Sequence, residues 1–277
     1  MSCPSCFDGH AHEGTLRGRI ETIHNLKTYV SEPTNGRPIR GIIVIIPDAF
    51  GFDFVNNRLL ADHYADKGDY KVYFPDFMQG HSAPEWMLDT MKEILTGRNI
   101  FAKPLHIFWA LYGFVPWILR NRIGRSYPIV KAFFSELRKA EGKDLPIGAA
   151  GFCWGGKHGL LLAQGAKVEG RALVDAVFVG HPSWVKIPDD IKSLKQPVSF
   201  AIGDRDNQIP PKKAEELKAL LDQLPEEQGA ELRIYGNCGH GFCVRADVTS
   251  VDSAAQQASE AEDQCIDWFN KYLRPRP

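Results

Sequence analysis

The chain lacks any excess of charge of one sign: 33 Lys and Arg stand against 34 Asp and Glu, a net charge of −1 in 277 residues. The basic residues are dispersed, so the sequence gives no electrostatic footprint for a nucleic acid or an anionic membrane, and a small molecule is the expected partner. The start of the chain has no basic segment followed by an apolar core of the kind that directs secretion, which makes the cytoplasm the expected compartment. Six cysteines are few for this length, and in a reducing compartment they stay thiols. Repeats, heptad arrays and low-complexity tracts are missing too, which argues against a solenoid or a coiled coil. One stretch, Phe101 to Leu119, approaches the length of a membrane span. Lys103, His106, Pro104 and Pro116 interrupt it, so the expectation is no membrane crossing.

What is present is alternation. Ile42 to Ile46 reads IIVII, an uninterrupted β-branched run of the kind that forms a strand buried on both faces of a parallel sheet. Further strands are predicted at Lys71–Phe74, Ile147–Ala150, Leu173–Val179, Val198–Ile202 and Leu232–Tyr235. Helical patterns lie between them at Asn56–Asp66, Ile129–Lys139, Lys157–Gln164, Lys212–Gln223 and Ser253–Tyr272. Thr15 to Val30 alternates apolar and polar residues about His24-Asn25, the mark of an opening antiparallel hairpin. Alternating strand and helix implies an α/β fold, a mostly parallel central sheet with helices on both faces. The whole chain, 1–277, reads as one domain. Residues 79–127 break the alternation with helical, aromatic sequence and read as an insertion too short for a secure core, either packed on the sheet or forming a lid.

The chemistry is concentrated in GFCWGG, Gly151 to Gly156. A short apolar strand precedes it and a helix can follow, the setting of a nucleophile elbow with Cys153 at its tip. The abrupt reversal needs small neighbours at Gly151 and Gly155. A thiol attacks well only as thiolate, so Cys153 requires a base, an acid to orient that base, and donors for an oxyanion. The strand Val198–Ile202 runs into GDRDNQIP, where Asp206 fits a GxxDxxIP acid loop and Asp204 is the competing carboxylate. The last strand runs into YGNCGHGF, where two glycines flank His240, the candidate base. Nucleophile, acid, histidine is the chain order of the α/β-hydrolase fold. The oxyanion donors are expected to be the backbone N–H groups of Trp154 and of Ala49 in PDAFG. Asp48 would lie close to Cys153, where a carboxylate opposes ionisation of the thiol. Phe50, next along, is expected against the substrate.

These motifs, PDAFG, VYFPDF, GFCWGG, GxxDxxIP and GHGF, together resemble the dienelactone hydrolase family, and the resemblance covers most of Ile42 to Leu273. It implies that Cys153, His240 and Asp206 hydrolyse a lactone, and that Asp48 holds the resting thiol until substrate displaces it; bacterial members carry the longer glutamate there. The family also sets arginines around a substrate carboxylate. At the first such position this chain has Gln79 and Gly80 in PDFMQG. At the second, Arg245 either contacts the substrate carboxylate or is a solvated surface residue. The segment Gly180-His181-Pro182-Ser183 resembles fungal-type members, with His181 either lining the pocket or serving the strand end.

Weaker signals complete the reading. Cys3, Cys6, His10 and His12 are too closely spaced to wrap a tetrahedral zinc comfortably, so the N-terminus reads as a docked or mobile arm and no metal is expected. Cys238 and Cys243 bracket His240 and read as free thiols, and Cys265 reads as core. No cofactor is called for, and the oligomeric state stays open. The leading function is a cysteine-dependent hydrolase of a lactone or small carboxylic ester. The alternatives are a noncatalytic scaffold that binds a small carbonyl compound or a protein partner, and thioester cleavage or acyl transfer at the same thiol.

Overall fold

The computed structural model describes residues 14–96, 99–246 and 253–274. The chain opens with strands β1 (Arg19–Ile23) and β2 (Leu26–Ser31), joined by His24 and Asn25 at φ +47° and +67°. Two linking residues with positive φ form the tight turn whose twist matches that of the flanking strands. After β3 (Ile42–Ile46), helix α1 (Val55–Gly68) leads to β4 (Lys71–Pro75), and α2 (Trp86–Thr96) and α3 (Lys103–Asn121) follow. Helix α4 (Ile123–Lys139) returns the chain to β5 (Ile147–Phe152) and α5 (Trp154–Ala163). A small hairpin, β6 (Lys167–Val168) and β7 (Arg171–Ala172), precedes β8 (Ala176–Gly180) and the short α6 (Asp189–Lys192). The remaining elements are β9 (Val198–Gly203), α7 (Pro211–Leu221), β10 (Ala230–Tyr235), α8 (Phe242–Arg245) and α9 (Ser253–Tyr272).

Eight strands form one sheet in the order β1-β2-β4-β3-β5-β8-β9-β10, parallel from β4 to β10 and antiparallel at β1 and β2. The five residues of β3 are fully buried. Ile42, Val44 and Ile46 feed the core on one face, while Ile43 and Ile45 feed the core on the other. Burying each such side chain is worth about 1.5–3 kcal/mol, so this run fixes the centre of the sheet. From β3 the strand order departs in both directions, to β4 on one side and β5 on the other. Such a switch point opens a crevice beyond the carboxyl ends of the strands. The register Ile46↔Gly151 sets the loop after β3 beside the turn after β5.

Three of the predicted strands and helices differ from the sequence reading by three residues or more at one end. The strand expected from Leu173 begins at Ala176, because Asp175 anchors the chain first: its carboxylate accepts Arg138 Nη2 at 2.6 Å and the Ile147 amide at 2.7 Å. The helix expected from Ile129 starts at Ile123 and carries Pro128 inside it; the insertion's last residues, 123–127, therefore belong to α4. Helix α5 begins at Trp154, three residues early, with Gly155 and Gly156 in its first turn. Packing there overrides the poor helix propensity of glycine. Helix α9 has the predicted bounds. Cys3, Cys6, His10 and His12 lie outside the described residues. Among the described residues no helix is long and apolar enough to cross a membrane.

Candidate active site

Cys153 occupies the turn between β5 and α5 at φ 52° and ψ −112°, a conformation that costs an L-residue on the order of 1–3 kcal/mol. Its surroundings over-determine it. The Cys153 amide donates to Gly180 O at 3.1 Å, and its carbonyl accepts from the amides of Ser183 at 3.0 Å and Gly156 at 3.1 Å. The glycines are required by contact: a Cβ on Gly155 would fall 2.0 Å from Ile46 O, and one on Gly151 would fall 2.4 Å from Gly155 O. The backbone N–H groups of Trp154 and Ala49 donate to no acceptor among the described residues, so both are available to an oxyanion.

The loops after β8, β9 and β10 meet this turn. Asp206 is buried, and its two carboxylate oxygens accept His240 Nδ1 at 3.1 and 3.0 Å. A further bond from the Gln208 amide at 2.8 Å fixes the carboxylate. Asp204, the competing acid, instead accepts the Cys238 amide at 3.1 Å and ties the two loops together. On the far side of the imidazole, His240 Nε2 lies 3.2 Å from Ser183 Oγ, which in turn lies 3.4 Å from Cys153 Sγ. Ser183 therefore touches both groups. Sequence reasoning stopped two residues short of it, at His181; the available signal was a small hydroxyl residue just beyond a strand on the site edge.

Electrostatics set the protonation of this pair. Burial alone pushes the Cys153 thiol up, but the charge of His240, a hydrogen bond to it and one to Ser183 outweigh burial and hold the thiol below its usual range. Burial likewise lowers His240, yet the Cys153 thiolate and the Asp206 carboxylate reverse this and raise the imidazole well above its ordinary value. Both shifts favour the same pairing, a thiolate beside an imidazolium.

Three expectations need correction or refinement. Asp48 is fully buried and forms no hydrogen bond with Cys153 among the described residues; its carboxylate is taken by Arg245 Nη1, by Asn57 Nδ2 at 3.2 Å and by the Phe50 amide at 3.2 Å. Its influence on the thiol is through charge alone and opposes ionisation. Arg245 is 4% exposed, so the solvated reading fails: besides Asp48, it lies 5.2 Å over the Phe50 ring and reaches the His240 carbonyl at 3.5 Å. His181 is fully buried behind His240, edge to face at 5.1 Å, and packs on Phe152 and Phe242. It does not line the cavity. Its amide is bound to Ala201 O at 2.8 Å, which turns the side chain into the core below the site. Burial, then the charges of His240 and Arg245, keep its ring neutral. Ser183 and Trp184 form the wall in its place.

A cavity of about 430 Å³ opens over Cys153. Phe50, Ser183, Trp184 and His240 border it from the sheet side, while Met87 and Met91 of α2 and Ile107, Leu111 and Phe114 of α3 border it from above. Trp117 stacks on Phe114 at 5.1 Å and approaches Trp184 at 6.0 Å, joining α3 to the loop after β8. Cys153, Cys238, Cys243 and Cys265 are all free thiols. No cluster of His, Cys, Asp or Glu able to hold a metal occurs among the described residues.

Sheet order, elbow and loop placement define an α/β-hydrolase fold. A dienelactone hydrolase from Klebsiella pneumoniae, described as putative, superposes with a TM-score of 0.65 at 17% identity over 94% of this chain and 100% of its own. A dienelactone hydrolase from Anabaena variabilis gives 0.60 at 18% identity over 95% and 100%. The profile of the dienelactone hydrolase family matches residues 26–273, and the chain belongs to that family. Among curated relatives, the hydrolase pyvD of Aspergillus violaceofuscus is 28% identical over 97% of this chain and 96% of its own length. The carboxymethylenebutenolidase homolog of Homo sapiens is 28% identical over 98% and 97%. The chain is thus a dienelactone hydrolase-like enzyme, which removes the noncatalytic scaffold from consideration.

Proposed function

We propose that this enzyme hydrolyses a lactone or small carboxylic ester by covalent catalysis, with Cys153 as nucleophile, His240 as acid and base, and Asp206 as the group that orients His240. The observation that carries this reading is the Cys153 thiol on its strained turn, beside an imidazole held from behind by a buried carboxylate. The thiolate Sγ attacks the carbonyl carbon, forming a C–S bond as the π electron pair moves onto oxygen. The N–H groups of Ala49 and Trp154 stabilise that oxyanion, and one such donor is typically worth about 3 kcal/mol. Collapse of the intermediate breaks the C–O bond, and the His240 proton passes to the leaving oxygen. In a lactone that oxygen stays tethered to the acyl chain. Neutral His240 then takes a proton from water, whose oxygen attacks the thioester. The C–S bond breaks and the acid leaves, restoring thiolate and imidazolium.

Cys153→Ala and His240→Ala, assayed against a panel of linear and cyclic esters, test this directly. Each is expected to lower kcat/KM by roughly 10³-fold or more. Turnover unchanged in both variants overturns the mechanism.

A further inference from the structure

The family resemblance directs attention to substrates that carry a carboxylate, yet the cavity is built for something else. Among the described residues its one lining Lys or Arg is Arg245, and no Asp or Glu lines it. Arg245 is weakened as a carboxylate receptor: Nη1 is committed to Asp48, which is itself fully buried, while Nε has no hydrogen-bond partner among the described residues. A substrate carboxylate brought to Arg245 would meet the Asp48 charge as well, or would have to displace it and leave a buried carboxylate unpaired, which is costly. Residues 79 and 80, at the first position where the resemblance implies an arginine, are Gln and Gly and do not line the cavity. Most of the remaining surface is apolar. Met87 and Met91 supply adaptable thioether walls, while Ile107, Leu111, Phe114 and Trp184 supply flat or branched ones. The polar lining groups Ser183, Asn207, Gln208 and His240 come from the loops that carry Ser183, the acid and the base, so polarity gathers at the reacting bond and fades away from it.

We infer that the acyl side of the site takes an uncharged, apolar ester or lactone substituent of chain or ring size, lodged between α2, α3 and Trp184, and discriminates against a carboxylate there. The inference rests on the hydrolase reading and adds the class of substrate. With one binding partner neutralised and the walls apolar, selectivity comes from desolvation: the neutral group gains by leaving water, and the charged group loses its hydration without a replacement partner.

The test uses 4-nitrophenyl heptanoate and the 4-nitrophenyl monoester of adipic acid, which share a leaving group and have acyl parts of similar length. The neutral ester is expected to show a kcat/KM at least tenfold higher, with the difference carried by KM. Leu111→Lys, which places a cation in the upper wall, is expected to narrow that ratio at least threefold. In parallel, Cys153→Ala protein is titrated with both esters and tryptophan fluorescence is followed. Tighter binding of the heptanoate is expected, independently of any chemistry. A preference for the adipate ester in turnover and in binding, lost in Arg245→Gln, overturns the inference and leaves the hydrolase reading intact. Absence of turnover of both esters by the parent enzyme counts against the hydrolase reading, while the titration still decides the ligand class: equal or reversed affinities overturn the inference there too.

Discussion

The strand-end edge and the helical roof solve opposite problems. On the edge, polar side chains are buried and fixed by partners both local and remote in the chain: Asp206 by His240 and Gln208, Asp48 by Arg245, Asn57 and Phe50. In the roof, apolar side chains stand partly in solvent, with Leu111 of α3 57% exposed although it borders the cavity. Moving one group at the edge disturbs several others. Exchanging a side chain in the roof reshapes the cavity and leaves the reacting atoms where they are. The proposed chemistry therefore sits among side chains held by hydrogen bonds, and the proposed selectivity among side chains held by apolar contacts.

The sharpest break of this contrast pairs two glycines. Gly155→Ala drives a Cβ against backbone, 2.0 Å from Ile46 O, whereas Gly113→Ala in α3 meets the ends of Met87 and Trp86 at 2.7 and 2.9 Å. The expected outcome for Gly155→Ala is a fall in Tm of roughly 10 °C or failure to fold, together with loss of activity. Gly113→Ala should shift Tm by no more than about 3 °C, because side-chain ends can move and the substitution favours helix. Thermal melts of both variants decide it. Similar losses in the two would erase the distinction between edge and roof.

A smaller effect sharpens the edge itself. Ser183→Ala removes the hydroxyl that touches both Cys153 Sγ and His240 Nε2. We expect kcat to drop about tenfold, with the acidic limb of the pH profile moved to higher pH, since the hydroxyl bond favours the thiolate. Ser183→Thr, which keeps the hydroxyl, should recover part of both. A drop in kcat with no movement of the pH profile would reduce Ser183 to a packing residue.

Much of the edge was legible because its signals are local. IIVII announces a strand buried on both faces, His24-Asn25 a tight turn, and GFCWGG a turn that only small neighbours permit. The order of Cys153, Asp206 and His240 along the chain could be read without coordinates, although the distances between them could not. What stayed hidden depends on contacts between remote positions. Asp48 and Arg245 are 197 residues apart, and nothing in either neighbourhood signals that each neutralises the other. His181 and Ser183 sit two residues apart beyond one strand, and only the backbone path after β8 decides that the serine faces the thiol while the histidine turns inward. Asp175 delays β8, and Pro128 is tolerated inside α4; periodicity and propensity see neither, because tertiary partners override both.

The rate of Cys153 alkylation by iodoacetamide as a function of pH decides whether the thiol is ionised by its pairing with His240. With the thiol lowered and the imidazole raised to about 10, the ion pair spans the interval between the two values. Reactivity should fall only as acid protonates the sulfur at a pH below the ordinary thiol range. His240→Ala removes the stabilising charge and should move that transition upward by at least one pH unit. Asp48→Asn removes an opposing charge and should move it downward. A transition at the value of an unperturbed cysteine, unmoved by His240→Ala, would contradict the account.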